Sequence, residues 1–170
     1  MADFLTRQNT CNYKRKHTMG VKIITKNKRA RREYIILEKM EAGISLLGAE
    51  VKAVRDGQVN FKDSYVSLTK NLEAWIEGLH IGLYKFADPS TQYSPTRRRK
   101  LLLNKHQIQK LFGKVTEKGM TIIPLAIYLR GPWIKVEIGL AKGKLLHDKR
   151  QDLIKKAQDR DIARAMKDRY

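Results

Sequence analysis

The sequence predicts a mainly β fold: a small antiparallel barrel with two to three short flanking helices and a basic C-terminal tail. Three observations predict it. Apolar residues alternate in runs of strand length through the middle of the chain, and turn-forming pairs such as Asp56-Gly57 and Gly131-Pro132 divide those runs. Helical spacing is confined to brief stretches between them. The ends differ in composition from the middle: residues 1–32 hold ten Lys or Arg against one acid, and residues 141–170 hold ten against five. Arms of that kind lack the apolar area to offset chain entropy and order on a polyanion.

Residues 1–26 read as a basic extension, expected to be disordered, 27–141 as the body, and 142–170 as the tail. Within the body, "REYIILEKMEAGISLLG" reads as two β-runs with Glu41-Ala42-Gly43 at the turn between them. "AEVKAVRDG" is a short helix with a thin apolar face (Ala49, Val51, Ala53, Val54), ended by Asp56-Gly57. "DSYVSLTKNLEAWIEGLHI" alternates on both sides of Asn71 and is a hairpin. "FADPSTQYSPTRRR" is a loop, because Pro89 and Pro95 interrupt any regular element. Asn104 is placed to cap a helix over about 105–112, with Ile108, Leu111 and Phe112 on its apolar face and Gly113 at its end. "MTIIPLAIYLRGPWIKVEIGLAKG" closes the body with two strands joined at Arg130-Gly131-Pro132, and Pro124 requires an edge or a bulge. About six short antiparallel strands with these helices point to a closed barrel of the oligonucleotide-binding type.

The charge narrows the partner. With 36 Lys and Arg against 17 Asp and Glu the chain carries +19, far more than solubility needs, which points to nucleic acid. A membrane is not the expected partner: no run of eighteen apolar residues exists, and the N-terminus has no apolar signal segment. Cys11 is the single cysteine, which excludes an internal disulfide and a cysteine-based zinc site. Together these point to a cytoplasmic protein. No phosphate loop, nucleophile elbow or histidine pair at metal spacing is present, so no enzyme, cofactor or resident metal is expected. Glu41, Glu50, Asp63 and Glu137 are the acids that a metal-dependent nuclease would have to gather in space. Arg97, Arg98, Arg99 and Lys100, four cations in a proline-bounded loop, read as a phosphate-contacting surface.

The stretches "NKRARREY", "EAGISLLGAEVKAVRDG", "DSYV", "TRRRKLLLN", "KVEIGLAKGK" and "HDKR" occur in this order and spacing. In them the chain resembles the bacterial SsrA-binding (small protein B) family, partners of transfer-messenger RNA (tmRNA). The resemblance runs from about Asn27 to Arg150 and more loosely through the tail; residues 1–26 match nothing. It implies a non-catalytic protein with an oligonucleotide-binding-type barrel that clamps the tRNA-like domain of tmRNA and favours its charging with alanine. It also implies that the protein accompanies tmRNA to ribosomes stalled on messages without a stop codon, with alanyl-tRNA synthetase and elongation factor Tu as indirect partners and a monomeric state. The family's RNA-contacting positions fall on Glu41, Leu102, Asn104 and Lys135. Its tail enters the decoding centre and mRNA channel, where Lys142, Lys144, His147, Asp148, Lys149, Arg150 and Met166 would act, His147 by stacking on a base. There the nascent chain is tagged for degradation.

Two readings of the residues stay open at this point: Glu41 accepts from a base or orients a neighbouring arginine, and Leu102 packs a base or the core. Where many relatives have two lysines, this chain has Leu145-Leu146 after Lys144, a pair that would change the tail's exit angle if it packed on the barrel. The tail's thin apolar stripe predicts disorder when free and a helix when bound. The rival function is a structural ribosomal or general RNA-binding protein, which would stay on ribosomes at fixed stoichiometry.

Overall fold

The computed structural model describes residues 20–87, 93–116, 119–145 and the single positions 158, 164 and 166. In chain order the described elements are β1 (Val21–Lys26), α1 (Ala30–Glu33), β2 (Tyr34–Ile44), α2 (Gly48–Arg55), β3 (Val59–Asn60), β4 (Tyr65–Thr69), β5 (Glu73–Glu77), β6 (His80–Ile81), β7 (Arg99–Leu102), α3 (Lys105–Val115), β8 (Met120–Arg130) and β9 (Trp133–Gly143). All strand pairings are antiparallel, and they close on themselves. β8 pairs with β4, β4 with β5, β5 with β7, β7 with β2, β2 with β9, and β9 returns to β8. The ring has the mainly β, antiparallel character expected. β1 lies farther along the edge of β8 that β4 meets at Ile122, and β3 pairs with β6 separately.

Strict alternation puts Ala42, Val66, Ala74, Ile76, Leu101, Val136 and Ile138 inside the ring, where each is buried. α2 supplies Ala53 and Val54 to this core, and α3 supplies Leu111. A smaller cluster under α1 gathers Ala30, Ile123, Leu125 and Ala141. Pro124 sits at a bulge: the β8–β9 register shifts between Pro124 and Ala126, because proline has no N–H for the ladder. Beside this bulge Asn27 ties the chain down, its amide donating to Pro124 O at 2.9 Å while its Oδ1 accepts from Ala30 N at the start of α1.

Several expectations are corrected. β2 runs unbroken through Glu41-Ala42-Gly43, so no turn lies there. Gly43 is paired on both sides, with Leu102 and Lys135, and a Cβ on it would stand 3.1 Å from Leu102 Cβ. Close approach of a neighbouring strand, not a turn, is what demands glycine. Residues 21–26, assigned to a disordered extension, form β1 against Ala126–Arg130. Residues 1–19 lie outside the described residues. α3 continues past Gly113 to Val115 and closes where Thr116 N–H donates to Phe112 O, and Phe112, expected on the buried face, is 42% exposed. The hairpin turn places its left-handed residue at Leu72 (φ 56°), one past Asn71. β9 extends two residues beyond the expected end of the body, to Gly143. No helix among the described residues is long and apolar enough to cross a membrane.

Candidate nucleic-acid interface

The residues that alternate out of the ring form one surface across β7, β2, β9 and β8. Leu102, Gly43 and Lys135 are successive register partners, and Tyr128 and Arg130 on β8 lie opposite Lys135 and Trp133. Glu41 is the hub of this surface. Its carboxylate accepts from the Tyr128 hydroxyl at 2.5 Å, and it has Arg130 Nη1 at 3.3 Å and Lys135 Nζ at 3.6 Å. The bond from Tyr128 holds the Glu41 carboxyl below its ordinary range, helped by Arg130 and Lys135 against a burial penalty. Burial, then the bond to Glu41, pushes the Tyr128 hydroxyl above the usual range for a tyrosine. Arg130 is thus the neighbouring arginine that the second reading of Glu41 requires, and one carboxylate is shared between two cations without neutralising both. Beside it an open hollow of about 510 Å³ is rimmed by Lys26, Lys28, Arg31, Lys39 and Arg130. Leu125 and Ala126 also line it, with the acids Glu41 and Glu137, so the hollow combines apolar surface with an excess of cations.

Leu102 is 59% exposed, whereas Leu101, its sequence neighbour, points into the core. Asn104 stands exposed at the start of α3, where its backbone N–H donates to Gln107 Oε1 at 3.0 Å. Of the four residues singled out by the resemblance, Glu41, Leu102 and Lys135 share one face, and Asn104 follows two residues past Leu102 at its margin.

The cationic run divides. Arg99 is fully buried, its guanidinium donating to Glu50 Oε1 at 2.9 Å and to the carbonyls of Leu79, Arg97 and Pro95. Arg97 makes a forked pair with Glu50, at 2.8 and 2.5 Å. The reading of these two as a phosphate-contacting surface is corrected for Arg99, which has no exposed surface, and weakened for Arg97. Together they clamp the loop to α2, because Glu50 is buried and must be paired. Desolvation opposes the charge on Glu50, but the bonds from Arg97, Leu47 N–H and Arg99 outweigh it and hold the carboxyl below its ordinary range. Lys100 pairs with Glu73. Arg98 alone of the four is exposed without a direct ion pair among the described residues, though its charge acts on Glu73 and Glu77; its guanidinium lies 5.0 Å from the Trp75 ring centroid.

At the tail's root, Lys142 is a strand residue, in register with Ile35 and Met120. Lys144 donates its backbone N–H to Glu33 O at 2.9 Å and reaches Arg31 O with Nζ. Leu145 is 73% exposed, so it does not pack on the barrel. Leu146, His147, Asp148, Lys149 and Arg150 lie outside the described residues. Met166 is helical and exposed, as are Gln158 and Arg164. The four acids of the nuclease alternative do not converge. Glu41 and Glu137 are cross-strand neighbours, Glu50 is buried with two arginines, and Asp63 lies 3.6 Å from Arg29. No group of three or more His, Cys, Asp or Glu among the described residues is placed to hold a metal.

Sequence reasoning missed Tyr128, Arg130 and Trp75. The first two were within reach: a two-residue turn at Gly131-Pro132 fixes the β8–β9 register, and counting back from it sets Tyr128 opposite Lys135.

Comparison with known proteins adds an independent line. The family model described as "SmpB protein" matches residues 24–168, and so takes in half of β1 and nearly all of the tail. The SsrA-binding protein of Microcystis aeruginosa is 51% identical over 147 residues, covering 86% of this chain and 95% of the relative. That of Thermosynechococcus vestitus is 48% identical over 150 residues, covering 88% and 98%. A chain in a solved structure described as "tmRNA-SmpB: a journey to the center of the bacterial ribosome" aligns with a TM-score of 0.61 at 44% identity, over 72% of this chain and 85% of that one.

Proposed function

Because the chain belongs to the SmpB family, we propose that it binds the tRNA-like domain of tmRNA and works in trans-translation. The observation that carries the reading is the single outward face that joins Glu41, Lys135 and Leu102 with Asn104 at its edge. Lys135 neutralises phosphate, Leu102 offers an apolar surface to an unstacked base, and Asn104 has an amide for a base edge or a 2′-hydroxyl. Glu41 holds Arg130 and Lys135 at fixed positions, so these cations need little reorganisation on binding.

The body then stands in for an absent anticodon arm, and the tail from Lys144 onward enters the empty decoding centre and mRNA channel. There His147 stacks on a base, Lys149 and Arg150 meet phosphates, Asp148 caps the following helix or orients a cation, and Met166 lies on that helix. The protein acts without catalysis of its own in the cytoplasm. It favours alanine charging of tmRNA and meets alanyl-tRNA synthetase and elongation factor Tu through that RNA.

The test compares the intact chain with one ended after Leu145, which keeps β9 and the Lys144 anchor. Both are expected to bind a tRNA-like RNA fragment, more weakly as salt rises, while only the intact chain releases stalled ribosomes. Loss of RNA binding on truncation, or equal binding of any RNA, would overturn the division between clamping body and decoding tail.

A further inference from the structure

The outward face continues past Leu102. Lys100, two residues back on β7, is in register with Trp75 on β5, so Lys135, Gly43, Leu102, Lys100 and Trp75 lie on one side of four neighbouring strands. Strands are ~4.8 Å apart, so Trp75 stands on the order of 15 Å from Lys135 along the surface, a span of several nucleotides. The Trp75 ring is half-buried in this sheet. Lys100 pairs with Glu73 beside it and is first among the groups that hold that carboxyl below its ordinary range. The ring has Arg98 at 5.0 Å and Lys100 Nζ at 5.9 Å from its centroid. The flanking arginines fix the backbone: Arg97 and Arg99, anchored on buried Glu50, leave Arg98 facing out between them.

From this we infer that Trp75 and Arg98 form a phosphate subsite, with Arg98 contacting one backbone phosphate of the bound RNA and Trp75 as its positioning residue. A free arginine on a loop loses rotamer entropy when it is immobilised by a ligand. An arginine already lying on an indole has lost much of that freedom, and its guanidinium edge and outer face remain available to a phosphate. Lys100 is less suited to the task because Glu73 already holds it. The inference rests on the proposed binding of a tRNA-like RNA and extends that site by one contact.

The experiment measures binding of the full 170-residue chain to the tRNA-like fragment of tmRNA across a salt series. Arg98→Gln is expected to reduce the slope of log affinity against log salt by about 0.7–0.9, one phosphate's share, and Arg98→Lys to restore most of that slope. Trp75→Leu is expected to weaken binding about two- to fivefold, from loss of the cation–π contact, and Trp75→Phe to recover it. On the Arg98→Gln background, Trp75→Leu should do nothing more, which separates positioning from a general effect on the fold. Lys135→Ala serves as the control for the parent reading. If Lys135→Ala weakens binding while Arg98→Gln leaves affinity and slope untouched, the subsite is overturned and the parent reading stands. If Trp75→Leu weakens binding equally with and without Arg98, Trp75 does not act through Arg98 and the positioning role is overturned. If none of the variants differs from the parent chain, both readings fail.

Discussion

Glu50→Ala tests the internal clamp directly. The Glu50 side chain is fully buried and receives Arg97 Nε at 2.8 Å, Arg97 Nη2 at 2.5 Å, Arg99 Nε at 2.9 Å and the Leu47 backbone N–H at 2.8 Å. Truncation leaves the Arg99 guanidinium in the interior without its counter-charge. The carbonyls of Leu79, Arg97 and Pro95 still accept from it but cannot neutralise it. Removing one partner of such a buried pair costs about 3–5 kcal/mol. Glu50→Gln, which keeps the shape and one acceptor, should cost roughly 2 kcal/mol. Because burial itself opposes both charges, adding Arg99→Met to Glu50→Ala should recover part of the loss instead of adding to it. Equilibrium urea unfolding followed by tryptophan fluorescence reads these values from the midpoint at constant m, and the thermal midpoint of Glu50→Ala should fall by roughly 10 °C. A loss under about 1 kcal/mol, or strict additivity of the two substitutions, would refute the reasoning.

Glu38 is lowered from 4.5 to about 2, first by the bonds from Lys110 and Lys114. A depressed carboxylate stabilises the fold fully above its unfolded value, so this contribution should fade as pH falls from 4.5 toward about 2. Glu38→Gln should flatten that part of the stability–pH curve, and an unchanged slope in urea titrations would refute the assignment. Gly78→Ala combines a left-handed φ of 69° with a Cβ that would stand 2.6 Å from Asp63 O, a backbone atom that cannot swing away. A loss of about 2 kcal/mol or more in chemical unfolding is expected. Glu41→Gln should let Tyr128 ionise at lower pH than in the parent chain, as read by ultraviolet titration, because the bonded carboxylate is one of the groups holding the hydroxyl up.

How much of this was legible differed by level. The hairpin around Asn71, the helix at Ala49–Val54 and the bulge at Pro124 followed from local chemistry, and all three are present. The turn at Glu41-Ala42-Gly43 misled because glycine has two uses, turning a chain and admitting a neighbour, and only the position of Leu102 distinguishes them. The cationic run misled for a similar reason. A buried carboxylate needs partners, and Glu50 lies about fifty positions away in sequence, so nothing local marks Arg97 and Arg99 as internal. The family's positions could be read from ordered motifs, whereas Tyr128 and Arg130 needed strand register. In the tail Lys142, Lys144 and Met166 are described, whereas Leu146–Arg150 fall outside the described positions.

The closed ring also sets the order in which the protein can be made. Tyr34 on β2 pairs with Gly143 on β9, a separation of about 110 positions, which at ~5–20 residues per second keeps β2 waiting roughly 5–20 s during synthesis for its partner. Throughout that interval β2 is an eleven-residue strand without the neighbour that will cover one of its edges. Glu38, Lys39 and Glu41 interrupt its apolar run with charge, and charges so placed discourage pairing between nascent chains. The same glutamates that later hold Lys110, Lys114, Arg130 and Lys135 thus guard the strand before any of those cations has been translated.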